Sequence, residues 1–244
     1  FPVIKFNDTD ESHIPQNLTH LVKAVNWVTN KYVTAVRNLK IDRVGNFINN
    51  FDIFQIFILL LLKIAFDLKQ FCPGASSASA VADVVEALAK SQTKKLRKLS
   101  IQELLDCSGS GCRSYGDFDK VYSMYLMEKK GLVCENNYPY VRAEKTCLVR
   151  GQRHGKVSKM LHVRLGHQTL FKALLSKGPV ATRVLVTPNF INYKEGWKIH
   201  FINFQRLDLQ ILIWGTDWGE KGYMRISINP KENCNLYLES LAAM

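Results

Sequence analysis

No two cysteines of this chain form a C-x-x-C pair, and no histidines gather near any of the six, Cys72, Cys107, Cys112, Cys134, Cys147 and Cys234. A zinc site needs closely spaced ligands of that kind, so no metal and no cofactor are expected. No internal repeat or low-complexity tract is evident. No signal peptide is visible at Phe1, so either it lies upstream of this segment or the chain is not secreted. Acidic side chains are few: 21 Asp and Glu stand against 33 Lys and Arg, a formal net charge of +12. A basic surface can meet nucleic acid, an anionic surface or an acidic substrate. The densest cluster, Lys94-Lys95-Leu96-Arg97-Lys98, lacks interleaved aromatic residues on which bases could stack. It reads as a solvated loop between two helices, and no nucleic-acid partner is expected. The apolar run Phe54–Phe66 is too short, and too interrupted by Gln55 and Lys63, to span a bilayer. A buried helix is one reading of it and an interfacial helix the other; a membrane partner is not expected.

What is present suffices for a folded protein. The 244 residues are 47% hydrophobic and 22% charged, enough to bury one core, or two small cores with a cleft between them. An even number of widely spaced cysteines fits disulfides in an oxidising compartment, with buried free thiols as the alternative. The sequons Asn7-Asp8-Thr9 and Asn17-Leu18-Thr19 point the same way and make Asn7 and Asn17 glycosylation candidates.

Periodicity divides the chain. Residues 1–23 are polar and turn-rich, an extended lead-in, and 24–38 form a short β-prone stretch. Residues 39–71 differ in composition from both flanks and read as an insertion. From Ser76 to about Lys90 the spacing of Val81, Val84, Val85 and Leu88 predicts a helix. Ser100-Ile101-Gln102-Glu103 is a capping box. Phe118, Val121, Tyr122, Tyr125 and Leu126 give a further helical face that stops at Gly131. Leu170, Phe171, Leu174 and Leu175 give another, closed by Gly178-Pro179. Thereafter Val180–Val186, Trp197–Phe204, Leu209–Trp214 and Tyr223–Ile228 read as strands. Helices followed by strands argue an α+β chain with a helical part over 72–155 and a β-rich part over 156–244.

Four stretches together resemble the papain family of cysteine peptidases. Ala24-Val25-Asn26-Trp27 with Tyr32–Asn38 is similar to the start of the mature enzyme, which makes 1–23 similar to the end of a propeptide. Cys72-Pro73-Gly74-Ala75-Ser76-Ser77-Ala78-Ser79-Ala80-Val81 lies over the nucleophile motif C-G-S-C-W-A-F-S-A-V. Leu99–Cys107, Gly111-Cys112 and Tyr138-Pro139-Tyr140 form the third stretch. Gly178-Pro179-Val180, Tyr193–Gly196 and Trp214–Tyr223, with its two Trp-Gly units, form the fourth. Residues 39–69 have no counterpart. The resemblance implies a papain-like fold, a helical domain against a β-barrel-like domain with a cleft between them. It implies disulfides Cys72–Cys112 and Cys107–Cys147. Cys234 would then lack its usual partner, and Cys134 is an additional cysteine.

Carried over position by position, the resemblance puts Ala75 where the catalytic cysteine belongs. A methyl group cannot attack a carbonyl. Ser76 and Ser77 are displaced along the first turn, where a serine more often caps a helix. The usual Asn-His-Ala-Val segment is absent. His200 is the only nearby histidine, closer to Trp214 than the family spacing places the base, and reads equally as an ordinary strand residue. The orienting asparagine position is Leu212. The oxyanion-hole glutamine position falls on Lys69, with Gln70 one residue away. Gly74, Ser114, Tyr115, Trp214 and Trp218 would line the cleft, and Tyr115 would crowd it. Ancestral cysteine-type proteolysis without activity is therefore the expectation, as a monomer whose partner is a peptide or a protease-inhibitor protein. By resemblance the location is the secretory pathway, extracellular, lysosomal or vacuolar. A degenerate product without settled function, a residual peptidase and a membrane-surface protein are the alternatives.

Overall fold

The computed structural model describes residues 4–5, 31–37, 72, 74–112, 118–164, 178–182, 192–195, 206–210, 215–227 and 239–244. Helix α1 (Gly74–Thr93) carries Ala75, Ala78, Ala82, Val85 and Ala89, each fully buried and three to four residues apart, with Val81 fully buried beside them. Asp83, Val84, Glu86 and Ala87 are buried too, so the helix is enclosed around most of its circumference. Its many small side chains suit that central place. It begins two residues before and ends three residues after the expected 76–90. The stop is set at Lys94, whose N–H donates to Lys90 O at 2.7 Å from a left-handed backbone (φ 61°), the conformation glycine usually supplies there.

Helix α2 (Ile101–Cys107) starts at Ser100, whose hydroxyl accepts from Glu103 N at 3.0 Å. Only half of the expected capping box forms. Ser100 N donates to Val133 O instead of to the Glu103 carboxylate. That carboxylate is drawn away to Val133 N and the Tyr125 hydroxyl, both at 2.8 Å, and to Arg153. Helix α3 (Phe118–Lys129) buries Tyr122, Tyr125 and Leu126 and ends at Gly131 as its pattern predicts. Gly131 has φ +107°, and a Cβ there would meet His154 O at 2.1 Å, so only glycine fits.

Strands are short. A four-stranded sheet has the order β1 (Ile4–Lys5), β4 (Met160–Arg164), β8 (Glu239–Ala243), β5 (Ala181–Thr182). β1 runs parallel to β4 with Ile4 opposite Leu161; β8 is antiparallel to both β4 and β5, with Leu241 opposite His162 and Ala181. Two further antiparallel ladders join β2 (Leu132–Val133) to β3 (Arg153–His154) and β6 (Arg206–Gln210) to β7 (Tyr223–Ser227). β7 matches its expectation and β6 overlaps the expected strand at Leu209–Gln210. β4 and β8 were not foreseen. The expected helix at 170–175, the strand at 197–204 and the insertion at 39–71 lie outside the described residues.

Helix α1 packs against α2 and α3 and also against β5 and β8, so one core joins the helices to the sheet. Leu99, Ile101, Leu104, Leu126 and Leu132 are fully buried in it, each contributing about 1.5–3 kcal/mol of transfer free energy. Residues 31–37 were expected to be strand-like, yet they pair with no strand. Lys31 takes a left-handed turn (φ 59°), and side chains hold the segment instead. Thr34 donates to Glu86, Lys90 donates to Lys31 O, and Val36 fills the space beside Gly222.

Candidate functional site

The N-terminus of α1 is built by close backbone approach. Gly74 N donates to Cys112 O at 2.9 Å, and Ala75 N donates to Cys72 O at 3.0 Å. A Cβ at Gly74 would stand 2.7 Å from Gly111 O, so the strand of chain at Gly111-Cys112 can lie against the helix only because residue 74 has no side chain. The Cys72–Cys112 disulfide fastens that contact, and Cys107–Cys147 fastens the end of α2 to the loop after Tyr138-Pro139-Tyr140. Both are the pairings the sequence resemblance implied. Cys134 carries a free, half-buried thiol, and Cys234 lies outside the described residues.

Ala75 occupies the first turn of α1 with its methyl group fully buried among core residues that include Cys72 and Ala78. The helix N-terminus directs positive potential at this place, which would stabilise an anion, but residue 75 has no group to ionise. Gly74 and Trp218 were expected to line an open cleft; Gly74 is buried and Trp218 is 1% exposed. Trp218 packs at 5.7 Å on the Tyr193 ring, and Tyr193 donates its hydroxyl to Glu220. The turn around it closes through Gly222 N donating to Trp218 O at 2.7 Å and the Glu220–Tyr223 bridge. Cys72, Gly74, Ala75 and Cys112 are thus brought together as the resemblance places them. Gln70, Ser114, Tyr115, His200, Leu212, Trp214, Asn7 and Asn17 lie outside the described residues.

One polar constellation went unread in the sequence. Arg37, 3% exposed, reaches into α1 between Asp83 and Glu86. It pairs with Glu86, lies 3.5 Å from Glu135 and 3.6 Å from Asp83 Oδ1, and donates to Leu99 O at 3.3 Å. Glu86 also accepts from Leu99 N at 2.7 Å and Thr34 Oγ1 at 2.6 Å. Asp83 has no hydrogen-bond partner for either carboxylate oxygen among the described residues. Burial above all, then the charge of Glu86, pushes its pKa well above the ordinary range; Arg37 offsets only part of this. Burial likewise raises Glu86 against the pull of Arg37. The available signal was two carboxylates three residues apart in an otherwise apolar helix, 46 and more residues from a lone arginine. A surface groove lined by Gln102, Asp106, Tyr138, Val141 and Lys145 was also not foreseen. Its polar groups bond one another: Gln102 to Asp106 at 2.8 Å, Tyr138 to Asp106 at 2.8 Å, and Val141 N to Gln102 at 3.0 Å.

Comparison with known proteins agrees with this architecture. Residues 67–213, more than half of the chain, match the family model described as papain family cysteine protease. The matched span starts after most of the atypical segment and stops just before Trp214. Ananain of Ananas comosus is 26% identical over 246 residues, covering 93% of this chain and 59% of ananain. A cysteine proteinase of Theileria parva is 30% identical over 64% of this chain and 38% of that protein, and mouse cathepsin S is 26% identical over 67% and 55%. The chain therefore spans between about two fifths and three fifths of the length of these curated relatives. The bromelain protease of Ananas comosus, solved in complex with the inhibitor E-64, superposes with a TM-score of 0.67 at 23% identity, over 90% of this chain and 97% of that one. A Carica candamarcensis cysteine protease, also in complex with E-64, gives 0.63 at 24% identity over the same shares. These likenesses establish the α+β fold. From the matched model and these relatives, the chain belongs to the papain family of cysteine proteases.

Proposed function

We propose that this chain is a papain-family homologue that has lost thiol proteolysis and acts without catalysis, as a binder of a peptide or a protease-inhibitor protein. The observation that carries the reading is Ala75, a methyl group at the N-terminus of α1 and fully buried there. The reaction needs a thiolate at that position, stabilised by the helix dipole and an imidazolium. Catalytic groups of this kind act as a unit, and removing the nucleophile alone abolishes most of the rate enhancement. By resemblance the orienting amide is also lost, at Leu212, and neither His200 nor Gln70 stands in the family register. Two disulfides support a location in an oxidising compartment, the secretory pathway, cell exterior, lysosome or vacuole. Among the described residues no helix is long and apolar enough to cross a membrane.

The test is a thiol-reactive epoxide probe together with a dipeptidyl fluorogenic substrate. Hydrolysis at the buffer rate is expected, with any probe adduct mapping by mass spectrometry to the free thiol of Cys134. An adduct elsewhere in the cleft, or turnover abolished by a papain inhibitor, would sink the reading. A second reading, a degenerate product without settled function, is favoured by one observation: the family match begins at residue 67 and leaves 39–66 out. Urea unfolding separates the two. A cooperative transition supports the non-catalytic folded protein, and a molten, aggregating product supports degeneration.

A further inference from the structure

The cations of this chain are gathered in stretches that exclude carboxylates. Between Glu86 and Glu103 there is no acidic residue, while Lys90, Lys94, Lys95, Arg97 and Lys98 follow one another. From Lys145 to Lys194 there is again neither Asp nor Glu. The fold joins the two stretches at the C-terminal end of α1. The Gln92 amide donates to Lys156 O at 2.8 Å, and Lys156 N donates back to Gln92 Oε1 at 2.9 Å. Gly155 lies so close to the helix that a Cβ would stand 2.5 Å from a Val85 methyl. Lys90 bonds Lys31 O and so brings in a further cation from the N-terminal segment.

Lys31, Lys94, Lys95, Lys98 and Lys156 are exposed on this face. Among the described ion pairs, only Lys98 has a carboxylate, Glu135 at 2.9 Å, which Arg37 shares from the interior. The negative end of the α1 dipole accounts for a lysine in its last turn, at about 0.3–1 kcal/mol. It does not account for Lys95, Arg97, Lys31 and Lys156, which lie off the helix and repel one another. Partial burial, and after it the charge of Arg97, holds the His154 imidazole below its usual pKa.

We propose that this face binds a linear acidic polysaccharide through its sulfate or carboxylate groups. A run of like charges on one face matches a polymer with regularly spaced anions. No aromatic residue lies between Lys90 and Lys98 to stack a base, and the Tyr32 ring beside Lys31 is covered by the Lys90 ammonium at 4.3 Å, which disfavours nucleic acid. Of the exposed large apolar side chains among the described residues, Met124 and Val141 lie outside both cationic stretches, and Leu148, inside the second, lines the Tyr138 groove and not the end of α1, which disfavours insertion of this face into a bilayer. The two disulfides fit the oxidising exterior where such polysaccharides occur. The face stands at the far end of α1, about 30 Å from Ala75 at 1.5 Å per residue, so its binding is independent of whether the chain is catalytic.

The full chain is passed over immobilised heparin and, separately, immobilised polygalacturonate, which distinguish sulfate from carboxylate recognition. A face variant, Lys94→Gln, Lys95→Gln, Arg97→Gln and Lys156→Gln, is compared with a control of equal charge loss, Arg142→Gln, Lys145→Gln, Lys194→Gln and Lys221→Gln. Retention of the parent chain on at least one matrix is expected. The face variant should elute at half the salt or less, its log–log salt slope reduced by about one per lost contact. The control should elute near the parent, with the same thermal midpoint for all three proteins. Three outcomes overturn the proposal: no retention on either matrix, equal weakening of both variants, or elution by RNA or phosphatidylserine vesicles as readily as by free heparin at equal charge.

Discussion

A single position decides what the site can do, and its surroundings decide whether restoring the side chain would matter. Ala75 is enclosed by the core and has no exposed surface. A sulfur added there would have to displace packed neighbours, an overpacking cost of about 1–3 kcal/mol. The new thiol would sit away from solvent and substrate. Ala75→Cys, made in a Cys134→Ser, Cys234→Ser background so that no other thiol outside the two disulfides reports, is therefore expected to react with a disulfide reagent at least tenfold more slowly when native than in urea. It is also expected to leave hydrolysis of a dipeptidyl fluorogenic substrate at the level of the parent. Rapid labelling of the native variant would mean that the N-terminus of α1 opens to a cleft; measurable turnover would mean that the remaining groups still form a catalytic site.

Elements differ in how much of their placement is local, and Glu103 shows the limit. Its sequence context, S-I-Q-E, reads as a capping box, and the serine does cap α2. The glutamate, fully buried, instead gathers Val133 N, the Tyr125 hydroxyl and Arg153 from three other elements. Glu103→Ala would leave those donors in the core without an acceptor, and is expected to cost about 3–5 kcal/mol. A urea midpoint within experimental error of the parent would refute this. Helices α1 and α3 were legible because their buried positions recur every three or four residues, and α2 from its capping serine. The strands were less so. β8, Glu-Ser-Leu-Ala-Ala, has helix-forming residues and is a strand only because β4 and β5 pair with it on both sides. Both disulfides were legible through the family resemblance, which implied Cys72–Cys112 and Cys107–Cys147. The burial of Ala75, Gly74 and Trp218 was not, because exposure is set by what the rest of the chain packs against them. Nor was the Arg37–Glu86 pair, whose members are 49 residues apart.

Across the whole molecule, that pair and Asp83 tie the segment 31–37 to helix α1, and Tyr223 of strand β7 lies within electrostatic reach of Asp83. Arg37, Glu86 and Tyr223 are the titratable groups that face Asp83 among the described residues. Tyr223 is raised by burial and then by Asp83, so it stays neutral and offers no positive charge. One guanidinium cannot neutralise two buried carboxylates that also repel each other, and Asp83, raised above all by burial and then by the charge of Glu86, is the one expected to retain a proton. Its ordinary value is 3.8, and its folded value is well above that. Below the ordinary value the carboxyl is protonated in both states and its contribution to stability is full. Above it the unfolded chain releases the proton while the folded chain keeps it, so stability falls by up to about 1.4 kcal/mol per pH unit until the folded group ionises. Glu86, also raised, adds to the fall in the same direction. Asp83→Asn removes the larger effect while keeping the shape of the side chain. The variant and the parent are expected to unfold at similar urea concentrations near pH 4, and the variant at higher urea from pH 6 to 8. If Asp83→Asn were instead the weaker protein at pH 7, the carboxylate would be charged and paired with Arg37, and the junction would be held by an ion pair and not by a retained proton.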